Sequence, residues 1–342
     1  MMVFRPVRKE DVDRVVELVV GSGHGLTSLP KDPELLAERV WEGAEAFGRD
    51  VRRPGGESYL FVLEDRRTGA LAGTSGIVAK VGGFEPFYTY RLETHELRSE
   101  VLGIRRRIRC LHPVREHSGP CEIGSLYLAP SYRRHGNGRL LSLGRFLYMA
   151  CQPHRFEREV IAEMRGVVDH RGRCPFWEAI GRHFFGLDFP KADYLSVRDK
   201  RIISELMPAH PIYVPLLPEE AQRVIGRVHP ETEPALALLR QEGFRPLGFV
   251  DIFDGGPVVG CPRDQIRTVR ETRVLPAASG DPGPAGVPHL VAPSPSGAPV
   301  VLAHFPRDAP EALLPPDGFE VLRISPGAPV ACAPLRPAPT GG

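Results

Sequence analysis

Cysteine is sparse in this chain: six among 342 residues, at Cys110, Cys121, Cys151, Cys174, Cys261 and Cys332. None forms a Cys-x-x-Cys pair or a Cys/His cluster at zinc-finger spacing. That fits free thiols in a reducing compartment rather than a disulfide framework, and no structural metal is expected. Long apolar runs are also missing. No stretch approaches the roughly 20 apolar residues that cross a bilayer, and the opening MMVFRPVRKE carries charge where a signal peptide has its apolar core. Nor does one sign of charge dominate. With 44 Lys and Arg against 42 Asp and Glu, the formal net charge of +2 gives no global pull toward nucleic acid or an anionic membrane. What remains is the composition of a globular protein, 42% hydrophobic and 25% charged, expected in the cytoplasm and long enough for one large domain or two unequal ones.

The densest signal is CEIGSLYLAP at 121–130 followed by SYRRHGNGR at 131–139. An apolar strand stops at Pro130, and an Arg-x-x-Gly-x-Gly loop then opens a helix. Glycines let backbone N–H groups approach a phosphate closely, and a helix N-terminus adds partial positive charge. Acyltransferases of the GNAT type hold the pyrophosphate of acyl-coenzyme A in this way. Upstream, residues 2–7 read as a strand and Asp11 as a helix cap. Val12, Val15, Val16 and Val19 mark one helical face, a second helix starts near Asp32, and 58–64 and 70–80 form a hairpin. That order is the one in which a GNAT domain begins. Residues 82–118 hold an aromatic cluster and the basic run Arg105, Arg106, Arg107 and Arg109, best read as a solvated face. Further on, 160–164 reads as a buried strand, 175–185 as a helix, 233–243 as a helix closed by Gly243, and 248–253 as a strand. From 274 to 299 the chain turns to Pro, Gly, Ala and Ser, the composition of a linker. Strands are expected again at 300–303 and 319–324.

Ordered blocks then carry a family resemblance. They are GLTSLP (25–30), YLFVLED (59–65), GNGRLLS (136–142), IAEMRG (161–166), PFWE (175–178), MPAHPIY (207–213), VIGRVHP (224–230) and DIFDGGP (251–257). In these the chain resembles the arginine N-succinyltransferases across about residues 1–270, while the last 70 or so residues and the arginine-rich 92–119 depart from the pattern. The resemblance implies an α+β, GNAT-like acyl-CoA N-acyltransferase core with a mixed, mainly antiparallel sheet flanked by helices. With the compositional shift it gives a domain at 1–272, a Pro/Gly-rich linker at 273–299 and a small C-terminal β-rich appendage at 300–338. It also implies succinyl transfer from succinyl-CoA, a co-substrate with no further cofactor, to the α-amine of L-arginine in arginine catabolism. A preference for ornithine or another amine stays open. So does a non-catalytic partner subunit, in either a homo-oligomer or paired α and β subunits. Binding to nucleic acid or membrane is not expected.

The same resemblance places the family's proton donor at His229 and a backbone contact to succinyl-CoA at Leu126, a residue whose own character is core. Arg133, Gly136 and Gly138 would then take the pyrophosphate, with Arg139 as outer support. A guanidinium acceptor calls for carboxylates, and Glu122, Glu163 and Asp254 are the candidates. Arg165 suits the acceptor's α-carboxylate, because two residues along a strand from Glu163 it would share its face. Ser28, in the glycine-rich loop, is a further candidate for the acceptor pocket.

Overall fold

Strand alternation and chain order together decide where the two faces of the molecule lie. The structure is a computed structural model that describes residues 1–20, 29, 31–280 and 286–338. Its main sheet contains β1 (Met2–Pro6), β2 (Ser58–Asp65), β3 (Leu71–Val78), β4 (Gly82–Ser99), β5 (Ile104–Ser118), β6 (Cys121–Leu128), β7 (Glu159–Glu163), β8 (Ile212–Tyr213), β9 (Arg245–Asp251) and β10 (Pro257–Pro262). These ten strands run in the order β1-β2-β3-β6-β7-β10-β9-β4-β5-β8. Among the described residues, the β6–β7 pair is the parallel one in an otherwise antiparallel sheet.

Both faces of the sheet's first half are covered. Tyr59, Phe61 and Leu63 of β2 join the core beneath the helix Asn137–Cys151, while Leu60 and Val62 pack with Val15, Val19, Leu36 and Val40 of the helices Val12–Val20 and Pro33–Gly48. A strand buried on both sides reads as a continuous apolar run, which YLFVL is. The helix Asn137–Cys151 is itself buried nearly all round, from Leu140 through Met149. It is sandwiched, and its second cover is a five-stranded sheet.

That sheet comprises β11 (Arg273–Ser279), β12 (Val287–Pro293), β13 (Val301–Phe305), β14 (Ala312–Leu314) and β15 (Pro329–Pro334), in the order β13-β12-β15-β11-β14. The stretch 273–299 is therefore not a linker, since it contributes β11 and β12. Among the described residues, Pro288 and Pro293 sit near the ends of β12 and Pro295 and Pro299 in the 294–300 turn, while Pro276 lies within β11. The strand expected at 319–324 is instead the helix Pro316–Leu322, opened by Pro316. The sheet is not a detached appendage either. Leu290, Ala292, Ala331, Ala333 and Leu335 share the core of the helix Asn137–Cys151, and Val300 bridges to Phe4 of β1.

Two other expectations change. Residues 175–185 form two short helices, Pro175–Ala179 and Gly181–Phe185, broken at Ile180. Residues 82–118, left unassigned by pattern, are a long ribbon of β4 against β5. β9 pairs with β4 only at Thr89–Arg91, so beyond Arg91 the ribbon extends past the sheet on that side. Its basic run, Arg105 to Arg107, is exposed near the far end.

Candidate active site

The site begins where β6 and β7 part. Their parallel pairing covers Cys121 opposite Val160 and Glu122 opposite Ile161. Beyond that pair β6 runs on to Leu128 without β7 beside it, so its backbone lines a split. On the other edge the register with β3 slips: Gly76 faces Gly124, but Thr74 faces Tyr127. Three residues on β6 thus span what two span on β3, a bulge centred on Ser125 and Leu126. Ser125 takes the left-handed conformation at φ 51, and its carbonyl accepts the Thr74 hydroxyl at 2.9 Å. A bulge re-aims the peptides next to it, and the Leu126 side chain packs on the main core.

From Leu128 the chain turns through a 3-10 segment, Pro130–Tyr132, into the glycine loop. Gly136 is the N-cap of the helix Asn137–Cys151, at φ 81, and the cap carries no side-chain hydrogen bond. A Cβ at this position would meet both the left-handed strain and Leu335 Cδ2 at 3.2 Å. Gly138 and Arg139 lie in the first turn, where amides have no intrahelical carbonyl. The first such bond runs from Leu140 N–H to the Gly136 carbonyl at 2.9 Å. The Asn137 side chain instead ties the loop back, donating to the Tyr132 carbonyl at 3.0 Å. Arg133 donates through Nε to the Leu128 carbonyl at 3.0 Å, which leaves its two terminal amino groups beside the loop. Arg139 reaches away to Gln241 at 2.9 Å, a position of outer support at most.

Beneath the bulge lies a residue that sequence reasoning passed over. Arg145 is 2% exposed and donates to the Gly76 and Gly124 carbonyls at 3.4 and 3.3 Å and to Ser142. Burial pushes its guanidinium down to about 9, with only a distant thiol, Cys121, acting the other way. A cation with no carboxylate partner among the described residues, under the split strand, favours negative charge there. An arginine inside an apolar helix pattern gives no linear sign of this.

Across the split stands a group of acids. Glu122 and Glu163 project from β6 and β7 on the face opposite the main helix, each half-buried. Burial raises the Glu122 carboxyl above its ordinary range; Lys200 and Arg39 oppose that and Asp251 adds to it. Glu163 is raised well above its usual value, first by burial and then by Asp251, Glu122 and Asp254. Its Oε1 is buried with no hydrogen-bond partner among the described residues. Asp251, at the end of β9, is raised by burial although the Phe253 and Asp254 amides donate to it at 2.7 and 2.8 Å. Asp193, on the helix Phe189–Arg198, is pushed up to about 7 by burial and by Asp251. Four acids from four elements thus share a region whose nearby cations are Lys200 and Arg39. Arg39 also lines, with Glu122, Gly124 and Ser125, a cavity between β3, β6 and the helix Pro33–Gly48.

Asp254 belongs to the same electrostatic group but has a different task. It is 8% exposed, and its two oxygens accept the Gly166 amide at 2.7 Å and the Gly256 amide at 2.8 Å. It holds together the turns that follow β7 and β9 and shapes the wall of the pocket. The pairing of Glu163 with Arg165 on one strand face also fails, because β7 ends at Glu163 and Arg165 lies beyond it. Arg165 instead pairs with Glu231 at 3.5 Å, and its carbonyl accepts the His229 amide at 2.8 Å. Ser28 lies outside the described residues.

His229 caps the 3-10 turn Pro230–Thr232. Its Nδ1 accepts the Glu231 N–H at 3.2 Å, so the neutral ring carries its proton on Nε2, which donates to the Val168 carbonyl at 3.1 Å. Burial and then Arg165 lower its pKa. The structure therefore groups His229 with Arg165 on one side and the four acids on the other.

A split parallel pair, a bulged central strand and a glycine loop at an uncapped helix define a GNAT-like acyltransferase fold. The sequence profile of the family described as Arginine N-succinyltransferase beta subunit matches residues 2–268. Arginine N-succinyltransferase of Citrobacter koseri is 43% identical over 289 residues, 84% of each chain, as is that of a Salmonella newport strain. Among solved structures, arginine/ornithine succinyltransferase subunit AI from Pseudomonas aeruginosa has a TM-score of 0.88 at 36% identity, covering 98% of this chain and 99% of its own. This chain belongs to the arginine N-succinyltransferase family.

Proposed function

We propose that this chain transfers the succinyl group of succinyl-CoA to the α-amine of L-arginine, giving N2-succinylarginine and free coenzyme A. The observation that carries the acceptor assignment is the half-buried acidic group Glu122, Glu163, Asp251 and Asp193, with a Glu163 oxygen unpartnered among the described residues. Such acids are stabilised in their charged form by a guanidinium, which pairs with carboxylates in bidentate geometry. An ornithine ammonium would satisfy the charge without the fork, so the same pocket admits it as a weaker acceptor.

In this reading succinyl-CoA enters as co-substrate, its pyrophosphate on the amides of Gly136, Gly138 and neighbouring first-turn residues and on the amino groups of Arg133. Its pantetheine arm lies along the split, with the thioester carbonyl against the Leu126 peptide. The terminal carboxylate of the succinyl group needs a cation, and Arg39, in the cavity beside Ser125, is suited to it. The neutral α-amine attacks the thioester carbon, forming C–N while the oxygen gains negative charge near the bulge and the underlying Arg145. Collapse breaks C–S, the thiolate takes a proton from His229, and the amine nitrogen loses one to water or to Glu122. To donate, His229 must exchange one backbone bond, at a cost of about 1 kcal/mol. Its lowered pKa makes the charged ring the readier acid.

The test is thiol release from succinyl-CoA by the purified chain alone, with arginine, ornithine and lysine as acceptors and acetyl-CoA as control donor. Release that requires both arginine and the succinyl donor is expected. Equal turnover of lysine, or of acetyl-CoA, would overturn the substrate assignment, and coenzyme A binding with no release would point to a subunit that needs a partner. A His229→Asn variant with full turnover at every pH would remove His229 from the reaction.

A further inference from the structure

Away from this site, the ribbon carries a cluster of four ligand-type side chains on one face. Glu93 and Cys110 sit directly opposite each other across β4 and β5, with His95 one step along β4 and His112 one step the other way along β5. Every second residue of a strand shares a face, so all four lie on the same side of the ribbon. The His95 and His112 Nε2 atoms are 3.4 Å apart. Both point at a single oxygen, Glu93 Oε2, at 3.6 Å from His95 and 3.2 Å from His112. The Cys110 thiol lies within 4.8 Å of both imidazole nitrogens and is buried at the base of the group.

These separations have a simple reading. Metal–ligand bonds of about 2.0–2.1 Å at the tetrahedral angle put neighbouring ligand atoms roughly 3.3–3.4 Å apart. The 3.4 Å edge between the two imidazole nitrogens fits that value. The Glu93 oxygen can accept an N–H from either ring, while a cation between the two imidazoles and the Cys110 thiol would take one ligand atom from each of those three residues. The other oxygen of Glu93 is already oriented, accepting the Arg91 Nε at 2.7 Å, the kind of outer contact that fixes a carboxylate beside a metal site.

We propose that His95, Cys110 and His112, with the Glu93 carboxylate beside the two imidazoles, form a site for a borderline divalent metal, of which zinc is the best fit to two imidazoles and a thiolate. The three ligand atoms lie within 4.8 Å of one another, and Glu93, outside that group of three, braces the two rings. Its place in the fold gives it a purpose. β9 stops pairing with β4 at Arg91, and Cys110 is at the edge of the short β8 pairing opposite Tyr213. The metal would clamp the two strands where the ribbon leaves the sheet. Linear spacing hid the cluster, since 14 residues of turn and strand lie between His95 and Cys110 while Glu93 and Cys110 are cross-strand neighbours.

The test uses the full chain, stripped with chelator and titrated with Zn2+, and in parallel with Co2+ as a spectroscopic probe. One equivalent of zinc is expected to bind, release about one proton from the thiol, and raise the melting temperature. Cobalt is expected to give intense tetrahedral visible bands with a thiolate-to-cobalt band in the near ultraviolet. His95→Gln, at a half-exposed position that tolerates change, should weaken binding by at least about 10-fold and abolish the thermal shift. Cys110→Ser should lose the near-ultraviolet band. Substoichiometric binding by the native chain would overturn the site. So would binding that both variants retain unchanged, which would place the metal elsewhere.

Discussion

The two sides of the split strand are built on opposite principles. On the donor side, one contiguous segment, 124–139, supplies a bulge, a left-handed glycine and an open helix N-terminus, and in the proposed reading it meets the ligand mainly through backbone amides, with the Arg133 amino groups beside them. On the acceptor side, Glu122, Glu163, Asp193 and Asp251 come from four elements spread over 130 positions (251 − 122 + 1), and the groups presented are side chains. Backbone amides bind phosphate whatever the local pH and are lost only when the conformation is lost. Carboxylates crowded together bind a cation tightly but are destabilised while empty. The first side is expected to be sensitive to shape and the second to charge.

Three experiments sharpen that contrast. The largest effect is expected from Glu163→Gln, which keeps the shape of the side chain and removes its charge. The kcat/KM for arginine should fall by about 100-fold or more, roughly 3 kcal/mol, with the KM for succinyl-CoA nearly unchanged. A comparable rise in the succinyl-CoA KM would erase the division between the two sides. Next, Gly136→Val puts a branched side chain at φ 81 and 3.2 Å from Leu335 Cδ2. An increase of about 10-fold in the KM for succinyl-CoA is expected from the distorted loop, with arginine affinity kept. Steady-state kinetics that move only the arginine KM would refute it.

The smallest effect concerns Asp193. Its folded pKa of about 7 lies above the ordinary value of 3.8. The folded state therefore holds this proton where the unfolded chain has released it. The corresponding stability is fully present below pH 3.8 and is lost as pH rises through about 7. Asp193→Asn should flatten that decline, leaving the variant more stable than the native chain by roughly 1–2 kcal/mol at pH 8, allowing for its partial exposure. Arginine should reduce the difference by pairing with the native acids. Melting curves from pH 5 to 8 that run parallel for the two proteins would rule out the assignment.

Local signals carried the donor side. A strand ended by Pro130 and a loop spaced by Gly136 and Gly138 need only neighbours in the chain to form, and the helix register from Asn137 follows from them. The bulge at Ser125 was invisible, since it depends on the slip against β3. On the acceptor side Glu122 and Glu163 were candidates from the sequence as carboxylates suited to a guanidinium, and both fall in the half-buried acidic group. Asp251, Asp193 and Arg39 were not, because nothing near them in sequence distinguishes a pocket acid from a surface one. Asp254 looked like a ligand and is a latch, its oxygens occupied by the Gly166 and Gly256 amides. Arg165 looked like a partner of Glu163, but β7 ends at Glu163, two residues short of Arg165, so strand alternation does not apply.

The same division runs through the whole molecule. By itself the sequence determined the strands and helices whose periodicity is local, the glycine loop, and the family to which the ordered blocks point. Only the tertiary structure decided that the proline-rich 273–299 holds two strands, one of which, β12, packs on the helix Asn137–Cys151. It also decided that four acids meet across the split and that His95, Cys110 and His112 converge on one face of a ribbon. The physical reason is range. Backbone conformation is set within a few residues, whereas burial, charge crowding and ligand geometry depend on which distant segments the sheet order brings side by side.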